Sequence, residues 1–217
     1  MKLFHPLICL VVLLSLLTSC APQSNTGQGG LYGAGGGAAA GAIIGQIAGR
    51  DSESTLIGAA IGAAVGGLAG AGAGKMMDNQ ERDMRAALAN SEAAAIKREG
   101  NLLAISLKGD LTFDTNSATV RPGLYSEIDR IANVLYQYPQ TVVRVEGHTD
   151  SRGSEEYNLN LSQRRADAVK NLLSQRGLAA NRVETVAFGE SRPVATNETE
   201  AGRQRNHRVE IKIAPTQ

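Results

Sequence analysis

The stretch GHTDSRGSEEYNLNLSQRRADAV, residues 147–169, places Asp150 just after a strand-like segment and Arg165 within the helix-like segment that follows. A carboxylate can accept hydrogen bonds from an ammonium group, and a guanidinium can hold a carboxylate with two parallel N–H donors. Held a few ångströms apart, these two side chains would therefore suit a zwitterionic ligand. A simple salt bridge between them at the start of the helix is the other interpretation that the spacing allows.

Catalysis by the same stretch is the competing chemistry. His148 and Asp150 could share a face at the strand end, with Ser151 or Ser154 as a conceivable nucleophile. Neither a nucleophile elbow nor the spacing of metal ligands accompanies them. The sequence therefore predicts a binding protein and not an enzyme, with no cofactor and no metal.

Alternating strand and helix signals surround these residues. Strands are predicted at LLAISL, TVVRVEG, VETVAFG and HRVEIKI. Helices are predicted at residues 122–138, which begin with a proline, and at residues 155–175, after which a glycine stands at position 177. The pattern indicates an α/β fold in residues 101–217, an α+β sandwich in which helices cover a small mixed sheet.

This arrangement would bring the candidate residues together. Asp150 would follow the carboxyl end of the second predicted strand, where ligands tend to bind in α/β sheets. Asn158 and Arg165 are seven residues apart, nearly two helical turns, and would project from one side of the following helix.

Residues 1–19 have the features of an export signal, namely one basic residue, an apolar run too short to span a membrane comfortably, and small polar residues. The signal runs into LTSC, which resembles the lipobox of bacterial lipoproteins and predicts acylation of Cys20, followed by a tether over residues 20–32. Ala21 in place of Asp after the cysteine resembles the sorting rule of enterobacterial lipoproteins, which implies delivery to the outer membrane. A signal peptide with a chance cysteine is the alternative. Cys9 would leave with the signal, so the mature chain would hold no disulfide.

Two glycine-rich segments lie within residues 33–74. Every fourth residue is glycine, and Ala, Ile, Leu and Val fill most of the gaps. This period places the glycines on one side of a helix, so that two such helices can approach closely. The ladders are Gly33, Gly37, Gly41, Gly45 and Gly49 in the first segment, and Gly58, Gly62, Gly66, Gly70 and Gly74 in the second.

A helical hairpin within a membrane would explain the ladders, because each interior glycine weakens a helix in water by about 1 kcal/mol, whereas a backbone in hydrocarbon must be helical. The uncharged residues 56–74 would form a helix of roughly 28 Å, close to the roughly 30 Å thickness of the hydrocarbon. The polar RDSEST would form the turn. A flexible Gly/Ala linker is the alternative, although linkers usually favour Ser over Ile, Leu and Val.

Residues 75–100 are rich in good helix formers and predict a helical spacer, with a solvated charged connector as the alternative. The chain carries 22 Lys and Arg against 21 Asp and Glu, and loss of residues 1–19 would remove one lysine and no acid. A nearly neutral chain with few aromatic residues argues against nucleic acid as a partner.

The motifs FDTNSATV, VEGHTDSRG, NLNLSQRRADAV and NHRVEI occur in order, and residues 101–213 closely resemble the OmpA-like C-terminal domain. That resemblance implies a non-covalent peptidoglycan-binding module. With the lipobox and glycine segments in front, the whole chain resembles outer-membrane lipoproteins of the YiaD type. This implies a lipid anchor in the outer membrane, a periplasmic C-terminal domain, and a tether between outer membrane and cell wall. The glycine segments resemble glycine-zipper domains, which implies membrane association or a homo-oligomer.

The resemblance also implies which residues bind. In the family, the acid of GHTD and the second arginine of LSQRRA hold the amino and carboxylate groups of meso-diaminopimelate, and these positions are Asp150 and Arg165. His207 is a departure, since the family usually has arginine there. A membrane-associated glycine-zipper oligomer, with the C-terminal domain as a structural cap, remains an alternative function. Further contacts are implied for Asn116, Thr149, Asn158 and Arg208.

Overall fold

The computed structural model describes residues 52–66 and 71–216 of the chain. The predicted signal, the tether and the first glycine segment lie outside the described residues. The helices are α1 (Ser52–Gly66), α2 (Ala71–Ala87), α3 (Gly109–Thr112), α4 (Tyr125–Gln137), α5 (Glu155–Gln175) and α6 (Glu200–Asn206). The strands are β1 (Ala94–Glu99), β2 (Leu102–Lys108), β3 (Thr141–His148), β4 (Val183–Gly189) and β5 (Arg208–Pro215).

The strands form one mixed sheet in the order β1-β2-β5-β3-β4. Its parallel pair is β3 and β4, and the other neighbours are antiparallel. A parallel pair needs a crossover connection, which α5 supplies. The mixed sheet with helices packed against it confirms the predicted fold class.

One face of the sheet carries the main core. Alternate residues such as Val143, Val145 and Ile211 are fully buried there, beneath apolar residues of α2, α4 and α5. Gly147 allows α5 to lie close to β3, because a Cβ at this position would collide with the carbonyl oxygen of Ser162. The helix that carries Arg165 is therefore held directly against the strand that leads to Asp150.

The opposite face is covered at one end by α1. Ile57, Ile61 and two alanines of α1 pack against Leu102, Val142 and Ala214 of the sheet. The backbone N–H of Asn101 also donates to the carbonyl oxygen of Ala64, at 2.9 Å. The second glycine segment thus contributes a helix to the C-terminal domain.

Within the predicted helix over residues 56–74, the structure describes α1 as far as Gly66 and α2 from Ala71, and residues 67–70 lie outside the described residues. Helix α1 has 15 residues, fewer than the roughly 20 that cross a bilayer. Among residues 52–66 and 71–216, no helix combines the length and the apolar character that a membrane crossing requires.

The predicted helical spacer over residues 75–100 was wrong in its second half. Helix α2 ends at Ala87, and Ala94–Glu99 form β1, which pairs along its whole length with β2. Gly100, at φ 59°, lies in the turn between the two strands. Helix propensity is a weak preference that pairing with a neighbouring strand overrides.

Candidate ligand-binding site

A cavity of about 460 Å³ opens beside the carboxyl end of β3. Helix α5 forms one wall, and the α3 region and the start and end of α6 supply the others. Five of the six predicted binding residues line it. They are Asn116, Thr149, Asp150, Asn158 and Arg165.

Arg208 lies apart from these five residues. Its Nε donates to Glu210 Oε1 at 2.6 Å, and its Nη1 donates to the carbonyl oxygen of Asn206 at 3.2 Å. The side chain therefore follows the outer face of the sheet, while the preceding residue, His207, lines the cavity. His207 follows the last residue of α6, whereas Arg208 is the first residue of β5.

Arg165 lies at the bottom of the cavity and is 1% exposed. Its Nε donates to the carbonyl oxygen of Ser117 at 2.9 Å, its Nη1 contacts His207 Nε2, and its guanidinium carbon lies 5.0 Å from the centre of the Phe113 ring. Burial lowers the pKa of Arg165 to about 10, so it remains charged at neutral pH. Its Nη2 is buried with no partner in the described part of the chain, so a donor of a buried cation is left for a ligand.

Asp150 is held at the mouth of the cavity. One carboxylate oxygen accepts from the backbone N–H of Arg152 at 2.8 Å, and the other lies 3.1 Å from Arg152 Nη2. Among the ion pairs of the described residues, Asp150 is matched with Arg152 and not with Arg165. The alternative of a simple salt bridge between Asp150 and Arg165 is therefore not what the structure contains.

Asn158 and Thr149 complete the wall near Asp150. Asn158 is buried, and its Nδ2 donates to the carbonyl oxygen of Asp150 at 3.2 Å and to Glu190 Oε2 at 2.6 Å. Thr149 is tied to β4 through its backbone N–H, which donates to the carbonyl oxygen of Gly189 at 2.9 Å. Its hydroxyl oxygen is buried with no partner in the described residues and is free to serve a ligand.

The start of α5 fixes this wall locally. Ser154 is the N-cap and accepts a hydrogen bond from the backbone N–H of Tyr157 at 3.2 Å. Glu155 and Glu156 in the first turn complement the helix dipole. These residues set where the helix begins, and so which of its residues face the cavity.

The geometry does not support the catalytic alternative. His148 is 1% exposed, stacks on Phe188 with ring centres 5.3 Å apart, and is absent from the cavity lining. His148, Glu146 and Glu210 are close enough to hold a metal ion. However, Lys212 Nζ lies 2.7 Å from Glu146 Oε2, so the protein already places its own cation between these carboxylates.

Sequence reasoning missed several residues that line the cavity. Asp110, Arg152 and Glu200 reach it from α3, from the loop after β3 and from the first turn of α6. Helix α6 itself lies where the sequence predicted no helix, and Thr199 caps it by accepting from the backbone N–H of Gly202 at 3.1 Å. The capping pair Thr199 and Gly202 is the signal in the sequence that could have revealed this helix.

Comparison with known families agrees with this fold. Residues 112–207 match the model of the OmpA family, and residues 1–78 match the model of the YMGG-like Gly-zipper. The C-terminal part of the chain is thus similar to the OmpA family over residues 112–207. More particularly, the chain joins a region similar to the OmpA family to an N-terminal region similar to a glycine zipper, as the sequence predicted.

Individual proteins show the same relationship. The chain is 38% identical over 144 residues to the probable lipoprotein YiaD of Escherichia coli, which covers 66% of this chain and 65% of that protein. It is 39% identical over 97 residues to the peptidoglycan-associated lipoprotein of Brucella melitensis, covering 45% of this chain and 58% of that protein. The chain thus spans less than two thirds of the length of these curated relatives.

Solved structures share the fold. The cell wall anchor of the T6SS from Pseudomonas aeruginosa superimposes with a TM-score of 0.55 at 33% identity, covering 61% of this chain and 94% of that one. A putative MotB-like protein from Desulfovibrio vulgaris superimposes with a TM-score of 0.60 at 16% identity, over 66% of this chain and 94% of that one. The second likeness concerns the fold alone.

Proposed function

We propose that the chain is a non-enzymatic envelope lipoprotein that binds peptidoglycan without a covalent bond and tethers the outer membrane to the cell wall. The observation that carries this proposal is the convergence of Asp150, Thr149 and Arg165 on one cavity, where the buried Arg165 leaves one donor without a partner. The names of the Brucella lipoprotein and of the Pseudomonas anchor, which refer to peptidoglycan and the cell wall, support the same assignment.

The ligand group that fits is the zwitterionic end of an amino acid, in which an ammonium and a carboxylate are attached to the same carbon, as in meso-diaminopimelate of the stem peptide. Arg165 Nη2 and the Thr149 hydroxyl would hold its carboxylate. Asp150 would accept its ammonium in place of Arg152, whose side chain is 65% exposed and can move away. Hydrogen bonds to charged groups contribute about 1.5–3 kcal/mol each, so three of them suffice for a reversible attachment.

A co-sedimentation assay tests this function. The full-length chain, solubilised in detergent, is expected to sediment with purified sacculi that contain meso-diaminopimelate and to release no soluble muropeptides. Amidation of the diaminopimelate carboxylate should weaken the association strongly, because it removes the negative charge that Arg165 would hold. Equal sedimentation with both kinds of sacculi would refute the ligand group, and release of muropeptides would refute the non-enzymatic role.

The anchor belongs to the same proposal. The acyl chains on Cys20 would insert into the outer membrane and hold the N-terminus there. The glycine segments would pack with each other or with further copies of the chain. On α1, Gly58 and Gly62 each follow an isoleucine, Ile57 or Ile61, that contacts the sheet, and both glycines are buried.

The position of α1 leads to a prediction about membrane topology. Because α1 packs on the sheet of the domain that would meet peptidoglycan, residue 52 should lie on the periplasmic side of the outer membrane. Ser52→Cys is expected to react with a thiol reagent too large for porins only after the outer membrane is opened. The chain without this substitution is the control for background labelling. Labelling in intact cells would instead support a hairpin that crosses the membrane.

A further inference from the structure

His207 stands between Asp110 and Arg165 at the inner edge of the cavity. Its Nδ1 lies 3.3 Å from Asp110 Oδ1, and its Nε2 is in hydrogen-bond contact with Arg165 Nη1. The side chain is 21% exposed, so the contact with Arg165 is largely shielded from water. Three side chains from α3, α5 and the end of α6 are thus connected in one row.

The partners of His207 determine where its proton lies. A guanidinium has only donors, so Nε2 must accept from Arg165 with its lone pair. The proton of the neutral ring is then on Nδ1, which donates to Asp110. Burial and the neighbouring charge of Arg165 lower the pKa of His207, while Asp110 and, more weakly, Asp150 act in the opposite direction. The neutral ring is therefore the form present at neutral pH.

The backbone around His207 is shaped to receive this ring. The N–H of Gly109 donates to the carbonyl oxygen of His207 at 2.9 Å. A Cβ at Gly109 would lie 2.5 Å from that oxygen and 2.9 Å from the ring atoms Cγ and Nδ1. Only glycine leaves the space that the imidazole occupies, so the ring is held from the backbone side as well.

We propose that His207 is a positioning residue for Arg165, and that the row Asp110–His207–Arg165 orients the guanidinium so that Nη2 faces the bound carboxylate. Ser117 holds Nε and His207 holds Nη1, and together these contacts fix both the plane and the rotation of the guanidinium. Without the second contact the group can turn about its long axis. This inference rests on the proposed function, because it assigns His207 a role in the same binding event.

Substitutions at position 207 separate positioning from packing. His207→Leu keeps an apolar side chain of moderate size but removes the acceptor, and it is expected to weaken association with sacculi by about tenfold or more, the effect of losing one hydrogen bond to a charged group. His207→Gln can place its amide oxygen near the site of Nε2 and should restore most of the association. Gln204→Leu, at an exposed position of α6, is the matched control and should bind as the wild type does.

The tautomer of His207 provides a measurement that does not depend on binding. In the processed chain expected from the sequence, residues 20–217, the histidines are His148 and His207, and loss of a signal in His207→Gln assigns the second. Nitrogen NMR of the detergent-solubilised chain at neutral pH is expected to show a neutral ring with the proton on Nδ1. A proton on Nε2, or a charged ring, would overturn the proposed row.

The outcomes also distinguish this inference from the proposed function. If the wild type fails to sediment with sacculi, the proposed function fails, whatever the tautomer. If the wild type sediments and a folded His207→Leu sediments equally well, the positioning role fails alone. Should His207→Leu not fold, the comparison of His207→Gln with the wild type decides, and association as weak as that of Arg165→Ala would refute the role of the acceptor.

Discussion

Arg165→Lys is expected to weaken association with sacculi by about 2 kcal/mol or more, roughly 30-fold, although it keeps the positive charge. The guanidinium divides its donors among Ser117, His207 and the ligand, and it packs against the Phe113 ring. A lysine ammonium is a single point charge that cannot make these contacts at once. Co-sedimentation across a range of sacculus concentrations measures the change.

The neighbouring Arg164→Lys provides the control. Arg164 is exposed on the same turn of α5, so the change alters the same kind of residue outside the cavity and should leave association unchanged. Asp150→Asn should weaken association to a similar degree as Arg165→Lys, because the amide no longer offers a charge to the ligand ammonium. Wild-type association in either cavity variant, with circular dichroism unchanged, would refute the site.

Removal of residues 52–100 is expected to have the largest effect on stability. A fragment of residues 101–217 lacks α1, α2 and β1, although the OmpA-family match begins only at residue 112. Met77 and Met84 of α2 are 0% exposed and belong to the main core, and α1 covers apolar residues on the other face. Loss of one such buried side chain costs about 2–5 kcal/mol, and a whole domain is stable by only about 5–15 kcal/mol.

The fragment should therefore be unfolded or only partly folded, whereas residues 52–217 should unfold in one cooperative transition in urea. Residues 71–217, which lack α1 alone, should have an intermediate midpoint. Loss of β1 would also leave β2 as an unprotected edge strand that can pair with other chains. A fragment of residues 101–217 with the same urea midpoint as residues 52–217 would contradict this prediction.

Point substitutions provide a milder version of the same experiment. Met84→Ala in the longer chain is expected to lower the free energy of unfolding by about 2–5 kcal/mol, and Lys75→Ala, at an exposed position of α2, should change it little. Binding assays on site variants should accordingly use the longer chain, since a loss of binding by the short fragment would report unfolding and not the cavity.

Much of the domain could be predicted from the sequence because the responsible interactions are local. Helix α5 and the strands β2, β3 and β4 follow from apolar alternation and capping residues, and their observed bounds lie within a residue or two of the predicted ones. The spacing of Asp150, Asn158 and Arg165 then placed all three at one strand end and on one helix side. The glycine ladder was equally visible, because a period of four appears in the sequence itself.

Contacts between distant segments were decided only by the tertiary structure. Residues 94–99 form a strand because β2 presents a free edge, and α1 packs on the sheet because Leu102, Val142 and Ala214 need an apolar cover. His207 meets Asp110 across 97 positions of the chain, and Arg208 is held away from the cavity by Glu210 of the same strand. Local patterns carry no information about such partners, since these depend on which surfaces the folded chain brings together.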